Sequence, residues 1–415
     1  MIALNDRSYR VPARPTVVIC ADGCDPAYLE AGLEAGVLPT VARWRETGFY
    51  ALADAVMPTF TNPNNLSIVT GAPPALHGIS GNFALDRDSG AEIMMTDPEM
   101  VRGETILALM SQAGVPTAAI TAKDKLRRML GRGLDFAHGG ICFSSEQAER
   151  CTLAEHGIDG VEALVGRTAP DMYSADLSLF VLDAGIRLVE EGRAQLLYLS
   201  LSDYVQHGHA PDEPEALQFH QALDDRLARL EALGCIVALT ADHGMNDKSN
   251  PDGSPRVIWL QDLLDARFGK GSSTVICPIT DRFVAHHGAL GGFVRVYCHG
   301  SLDPADVIAL ARKLPGIEAV HDKATAVRLF DLPADREGDV VVISRVDTCI
   351  GASEADHDLS GLKGHRLRSH GGISEAKVPF ILSHPLRPEY AARASAGPLE
   401  SHQIFDFAIN GVDIH

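Results

Sequence analysis

Three short runs in this chain are apolar almost without interruption, and each is followed at once by an aspartate. They are Thr16–Ala21 (TVVICA) before Asp22, Leu196–Ser202 (LLYLSLS) before Asp203, and Cys235–Ala241 (CIVALTA) before Asp242. Such a run lacks the alternation of a half-exposed strand and suits a strand covered on both faces, as in a parallel sheet. A fourth run, Val378–Ser383 (VPFILS), reads as another parallel strand of the same sheet. Helical patterns lie between them. Leu177, Phe180, Val181, Ala184 and Leu188 form an apolar stripe over Ser174–Glu191, and a second helix covers Pro214–Leu233, closed by Gly234. Strands alternating with helices give an α/β fold, a mainly parallel central sheet flanked by helices. In such sheets the loops beyond the C-terminal strand ends converge on one crevice, so Asp22, Asp203 and Asp242 are expected to meet there.

The texture changes between Asn250 and His365. Strand-like Ser273–Pro278 and Gly292–Tyr297 precede a helix pattern at Pro304–Leu314, then strand-like Ala319–Phe330 and Asp339–Ser344. This reads as a small α+β cap, residues 251–365, inserted into a core made of residues 1–250 and 366–415. A chain of 415 residues is long for one apolar core, which fits the division. The formal net charge of −19 sets up a field that repels nucleic acid and anionic membranes, so neither is expected as a partner. An anionic small molecule must instead be drawn in by local positive charge. The eight cysteines form no CxxC pairs, and the opening MIALNDRSYRVPARP has no apolar leader stretch, so reduced thiols in a cytoplasm are expected. A homodimer is compatible with the composition.

The segment from Met57 to Asn82, MPTFTNPNNLSIVTGAPPALHGISGN, places Thr61 where an extended stretch gives way to a helix. No base stands near it in sequence. Elsewhere, however, carboxylates and imidazoles stand in ligand-like contexts: Asp22, Asp203 with His207 four residues on, the adjacent Asp242 and His243, and His370 in Ser-His-Gly-Gly. Asp203 and His207 share a face if their segment is helical. This donor mixture suits a borderline-soft divalent metal such as Zn²⁺. A threonine hydroxyl is a weak nucleophile at neutral pH, and metal coordination lowers the cost of deprotonating it. The residues therefore suggest a two-metal hydrolase.

Taken as a set, ADG at 21–23, TNPNNLSIVTGAPPALHGISGN at 61–82, DYVQHGH at 203–209, ADHGM at 241–245 and SHGG at 369–372 resemble the alkaline phosphatase superfamily, its nucleotide pyrophosphatase/phosphodiesterase branch in particular. The resemblance implies an alkaline-phosphatase-like core and two divalent ions. Asp22, Thr61, Asp242 and His243 would hold one, and Asp203, His207 and His370 the other. It further implies Thr61 as nucleophile or positioner and Asn82 as a hydrogen-bond partner of a phosphoryl oxygen. The implied activity is metal-dependent cleavage of the carbon–phosphorus bond of phosphonoacetate, giving acetate and phosphate; the alternative is a phosphodiesterase or nucleotide pyrophosphatase using the same site. Asn62 follows Thr61 where the nucleotide-cleaving members commonly carry an aromatic residue, which weakens that alternative.

In a phosphonate the leaving group is carbon, and it departs acceptably only if its charge spreads into a neighbouring carboxylate as an enolate. Cationic side chains there would stabilise that charge. Lys123 and Lys125 follow the apolar strand Val115–Ile120 and either face the crevice or open a solvated helix. Other chemistry-bearing residues read as structural. His77 is a packing histidine in a turn, His286 and His287 are cap loop histidines, and Arg366 and Arg368 are surface charges. Cys20 and Cys24 are small core residues, and Tyr204 a packing one.

Overall fold

The computed structural model describes residues 1–87, 89–279 and 288–414. An eight-stranded sheet forms its centre, in the order Leu399–Glu400, Phe49–Asp54, Lys377–Leu382, Ile236–Thr240, Thr16–Cys20, Leu196–Ser200, Thr117–Thr121, Ile141–Ser144. The last five run parallel. Every residue of these five strands is buried, which is why their sequences show no polar alternation. The strand Lys377–Leu382 corrects one expectation, because it pairs antiparallel with both Ile236–Thr240 and Phe49–Asp54. A continuous apolar run reports burial on both faces and carries no information about direction.

Helices cover both faces. Asp176–Glu190 packs Leu177, Phe180, Val181, Ala184 and Leu188 inward, the stripe read from the sequence. Pro214–Ala232 starts with proline at its first turn, where the missing N–H costs nothing, and the chain turns out of it at Gly234 with φ of +80°. Among the described residues no helix is long and apolar enough to cross a membrane.

Residues 273–279 and 288–344 contribute a separate four-stranded antiparallel sheet in the order Ser273–Ile276, Phe293–Cys298, Val340–Ser344, Ile317–Asp322. The helices Leu260–Phe268, Pro304–Ala311 and Lys323–Phe330 accompany it, and its apolar cluster also takes in Met57 and Phe60. The strand expected over Ala319–Phe330 is in fact a strand to Asp322 followed by a helix. Asp322 caps that helix, its carboxylate accepting from the Thr325 N–H at 2.8 Å, so the backbone turns where the apolar pattern alone gave no signal.

Candidate active site

Register alone brings the three aspartates together. Thr240, Cys20 and Ser200 stand level on adjacent parallel strands, and Asp242, Asp22 and Asp203 follow two or three residues later at the same sheet edge. Gly23 has φ of +68°, and its N–H donates to Asp242 Oδ1 at 3.2 Å, joining two of the strand-end loops.

The donor atoms gather in two buried groups, Asp22–Asp242–His243 and Asp203–His207–His370, each with ligand atoms within 4.8 Å of one another. His207 is the last-turn residue of the short helix Tyr204–Gly208 with Asp203 at its N-cap, so the four-residue spacing puts Nε2 2.9 Å from Asp203 Oδ2. His370 Nε2 lies 3.8 Å from the same oxygen, and His243 Nε2 lies 3.3 Å from Asp22 Oδ1. All three imidazoles are held by the opposite nitrogen. Nδ1 faces the Arg368 carbonyl for His207, the Gly244 carbonyl for His243 and the Thr59 carbonyl for His370, at 2.7, 2.9 and 2.7 Å. A carbonyl only accepts, so Nδ1 carries a proton and Nε2 turns inward, the orientation that suits a metal ligand. The rings of His243 and His370 stack at 3.5 Å, one from each group. Gly371, at φ of +115°, leaves room for the Phe60 ring, which a Cβ would meet at 2.4 Å.

Electrostatics state the same need for positive charge. Burial raises the pKa of Asp22, and the neighbouring Asp203 and Asp242 carboxylates raise it further; Asp242 is raised by burial as well. Burial opposes charge on His243, yet Asp242 and Asp22 outweigh it and hold the pKa up at about 10. His370 is depressed by burial and by the two other imidazoles. Asp22 Oδ1 is buried, facing His243 Nε2 at 3.3 Å. Three desolvated carboxylates and three imidazoles aimed inward fit divalent cations of borderline-soft character.

Thr61 opens the helix Thr61–Thr70, with Oγ1 3.5 Å from His243 Nε2. Behind it Asn65, fully buried, donates to the Thr61 carbonyl at 2.9 Å and to Asp242 Oδ2 at 3.1 Å. The Asn65 side-chain Oδ1 accepts from the Tyr198 and Ser200 hydroxyls at 2.7 and 2.9 Å. Sequence reasoning missed Asn65, although its place one helical turn after Thr61 was a usable signal.

One cavity is lined by Asp22, Thr61, Asn82, Lys123, Lys125, Asp203 and His370, along with Asn62, and with Met94, Thr96 and Ile279, which the sequence did not flag. Asp242, His243 and His207 complete the two donor groups behind it. Lys123 and Lys125 thus reach the crevice from the start of the helix Asp124–Leu130, and Lys123 Nζ lies 4.0 Å from Asp203 Oδ1. Asn82 Oδ1 is buried with no hydrogen bond among the described residues, while its N–H donates to the Pro278 carbonyl at 2.6 Å.

Arg368 departs from the surface reading. It is buried, and its guanidinium donates to the Gln206 and Met245 carbonyls and the Tyr28 hydroxyl, bracing the helix that carries His207 and the loop that carries His243. Arg366 is exposed and pairs with Asp247. His77 is buried and neutral: Nδ1 accepts from the Ile79 N–H, so Nε2 donates to Ser67 Oγ, and burial drops its pKa to about 3. Cys20 and Cys24 are buried with raised pKa values, as core thiols. Tyr204 packs near Tyr173, and His286 and His287 lie outside the described residues.

The family model for type I phosphodiesterase / nucleotide pyrophosphatase matches residues 16–371. Crystal structures of phosphonoacetate hydrolase from Sinorhizobium meliloti 1021, in complex with phosphonoacetate or with phosphonoformate, superpose with a TM-score of 0.93 at 45% and 46% identity, covering 98% of each chain. Human ectonucleotide pyrophosphatase/phosphodiesterase family member 1 is 33% identical over 258 residues, 57% of this chain, and the match spans only 24% of that longer protein. Phosphonoacetate hydrolase from Penicillium oxalicum shares 61% identity over 28 residues, which is 7% of this chain and 39% of that sequence.

Proposed function

The chain belongs to the type I phosphodiesterase / nucleotide pyrophosphatase family and is a hydrolase, and from that premise we propose that its substrate is phosphonoacetate, cleaved to acetate and phosphate. The observation that carries this reading is one cavity whose wall holds Thr61, Asp22 of one ligand group, Asp203 and His370 of the other, and Lys123 and Lys125. A small dianionic or trianionic molecule with a phosphonate at one end and a carboxylate at the other matches that division of charge. The relative solved with phosphonoacetate bound covers 98% of this chain, which supports the same choice.

Two divalent ions, zinc by donor type, held by Asp22, Asp242, His243 and Thr61 and by Asp203, His207 and His370, would neutralise phosphonate oxygens and lower the cost of deprotonating a hydroxyl. Thr61, fixed at a helix start by Asn65, presents its oxygen to phosphorus as nucleophile, or else orients the attacking water. In the covalent route Thr61 gives up its hydroxyl proton to water, and the Thr61 Oγ–phosphorus bond forms as the phosphorus–carbon bond breaks. The electron pair moves onto the methylene carbon and spreads into the carboxylate. Lys123 and Lys125 stabilise that enolate charge in a partly desolvated cleft until the carbon takes a proton from water. Water then attacks phosphorus, the Oγ–phosphorus bond breaks, and phosphate leaves. Asn82 lines the cavity, where its side-chain Nδ2 would donate a hydrogen bond to a phosphonate oxygen. Residues 251–365 act as a cap, bringing Ile279 to the cavity wall.

The test compares three substrates on purified, zinc-loaded protein: phosphonoacetate, a nitrophenyl nucleotide diester and methylphosphonate. Phosphate release from phosphonoacetate well above diester cleavage is expected, with methylphosphonate inert because its carbanion has nowhere to spread its charge. Diester cleavage exceeding phosphonoacetate turnover reverses the assignment, and rapid methylphosphonate cleavage removes the enolate step.

A further inference from the structure

Behind the two ligand groups lies an ion pair that the reaction scheme does not use. Lys248 and Glu375 are both fully buried, with Nζ 2.9 Å from Oε1. Taking two charges out of water is costly, and apolar replacements of such a pair are often as stable, so stability alone does not account for its place. Its hydrogen bonds do. Glu375 Oε1 accepts from Lys248 Nζ, from Asn246 Nδ2 at 2.7 Å and from Ser374 Oγ at 2.8 Å, while Oε2 accepts from the Gly372 N–H at 2.9 Å. The Glu375 carbonyl accepts from the Gly244 N–H at 2.7 Å. One residue therefore grips the loop that follows His243 and the turn that follows His370.

The surrounding backbone makes the grip specific. Asn246 pairs antiparallel with Ser369, and Asp247 with Arg368, so a two-stranded ribbon joins the two histidine-bearing segments, and the Lys248 N–H extends it to the Leu367 carbonyl at 2.7 Å. Gly244, held by Glu375, in turn supplies the carbonyl that fixes His243 Nδ1. Gly372, also held by Glu375, accepts from Thr59 Oγ1 at 2.8 Å, and the Thr59 carbonyl fixes His370 Nδ1. The two rings so anchored stack at 3.5 Å with an interplanar angle of 6°, and each belongs to a different ligand group.

We propose that the buried Lys248–Glu375 pair is a positioning device that sets the spacing of the two ligand groups by holding the His243 and His370 loops in register. Neither residue touches substrate; both act through the histidines. The inference rests on the two-ion reading above.

The test measures Zn²⁺ binding to metal-stripped full-length protein by competition with a chromophoric chelator, alongside thermal melting of the same stripped samples. Wild type, Glu375→Gln and the double variant Lys248→Met with Glu375→Gln are compared. Wild type is expected to bind two ions, and both variants to lose roughly 10- to 100-fold in affinity at one or both, the usual effect of loosening the partners behind metal ligands. The double variant, having lost both charges, is expected to melt close to wild type, which separates positioning from stability. Unchanged zinc affinities in a double variant of normal melting temperature overturn the proposal and leave the two-ion reading standing. Wild type that binds no zinc overturns both. Should the double variant not fold, Glu375→Asp decides: it keeps the charge beside Lys248 but draws the carboxylate back from Gly372, so full zinc affinity there contradicts the proposal and weakened affinity supports it.

Discussion

Replacing Lys123 or Lys125 with alanine separates carbon–phosphorus cleavage from the general phosphoryl chemistry of the site. Both side chains line the cavity, and Lys123 is 28% exposed with its ammonium 4.0 Å from Asp203 Oδ1. A charge-assisted contact to a substrate carboxylate contributes about 1.5–3 kcal/mol, and partial exposure places Lys123 toward the lower end of that range. At about 1.4 kcal/mol per tenfold, each substitution lowers kcat/KM for phosphonoacetate roughly ten- to hundredfold. Nitrophenyl phosphate has a good oxygen leaving group and no carboxylate, so it requires Thr61 and the ligand groups but not the lysines. Lys123→Ala also removes a positive neighbour from Asp203, which costs both substrates alike; the ratio of the two losses isolates the carboxylate contact. The assay follows phosphate from phosphonoacetate and nitrophenol from the ester on the same zinc-loaded preparations. Equal losses on both substrates would refute the carboxylate role and assign the lysines to support of Asp203.

Thr61→Ala removes one small side chain at a helix start and should leave the melting temperature within a few degrees while lowering turnover by orders of magnitude; near wild-type turnover moves the nucleophile elsewhere. Chelation should abolish activity, and Zn²⁺ should restore it better than Mg²⁺, because three imidazoles suit the borderline-soft ion; full activity in chelator-treated, metal-analysed protein contradicts this. Stability should fall as the solution is acidified, through histidines buried neutral outside the ligand groups. Burial lowers His77 and His402 to about 3 and His220 to about 4, so the unfolded chain takes up protons below its ordinary value near 6.5 while the folded chain does not. Their stabilising effect is complete above that pH and drains away as pH falls toward those values, by about 2 kcal/mol per histidine at pH 5. Denaturant unfolding at pH 7 and pH 5 checks it, and equal stabilities at the two would show that these side chains are not held neutral.

Much of the candidate site's layout was legible because the fold turns sequence position into spatial position in a simple way. An apolar run ending in aspartate marks a buried strand and its C-terminal end together, and parallel registry then places Asp22, Asp203 and Asp242 at one edge. What the sequence withheld depends on partners distant along the chain. Apolarity does not encode direction, so the run Val378–Ser383 reads as parallel although the strand Lys377–Leu382 pairs antiparallel on both sides. The helix after Asp322 hinges on one capping carboxylate within a stretch of weak periodicity. Arg368 looks like surface charge until Gln206, Met245 and Tyr28 surround its guanidinium. The same holds for Glu375, whose partners Lys248 and Asn246 lie 127 and 129 residues away.

Acetate and phosphate formed from phosphonoacetate provide the most direct measurement of the central claim. Proton and phosphorus NMR on one reaction with zinc-loaded protein would follow both products against loss of substrate. The account predicts equimolar acetate and phosphate, formed together and absent from the Thr61→Ala reaction. Phosphonoacetate left intact while a nucleotide diester is consumed by the same sample would contradict it.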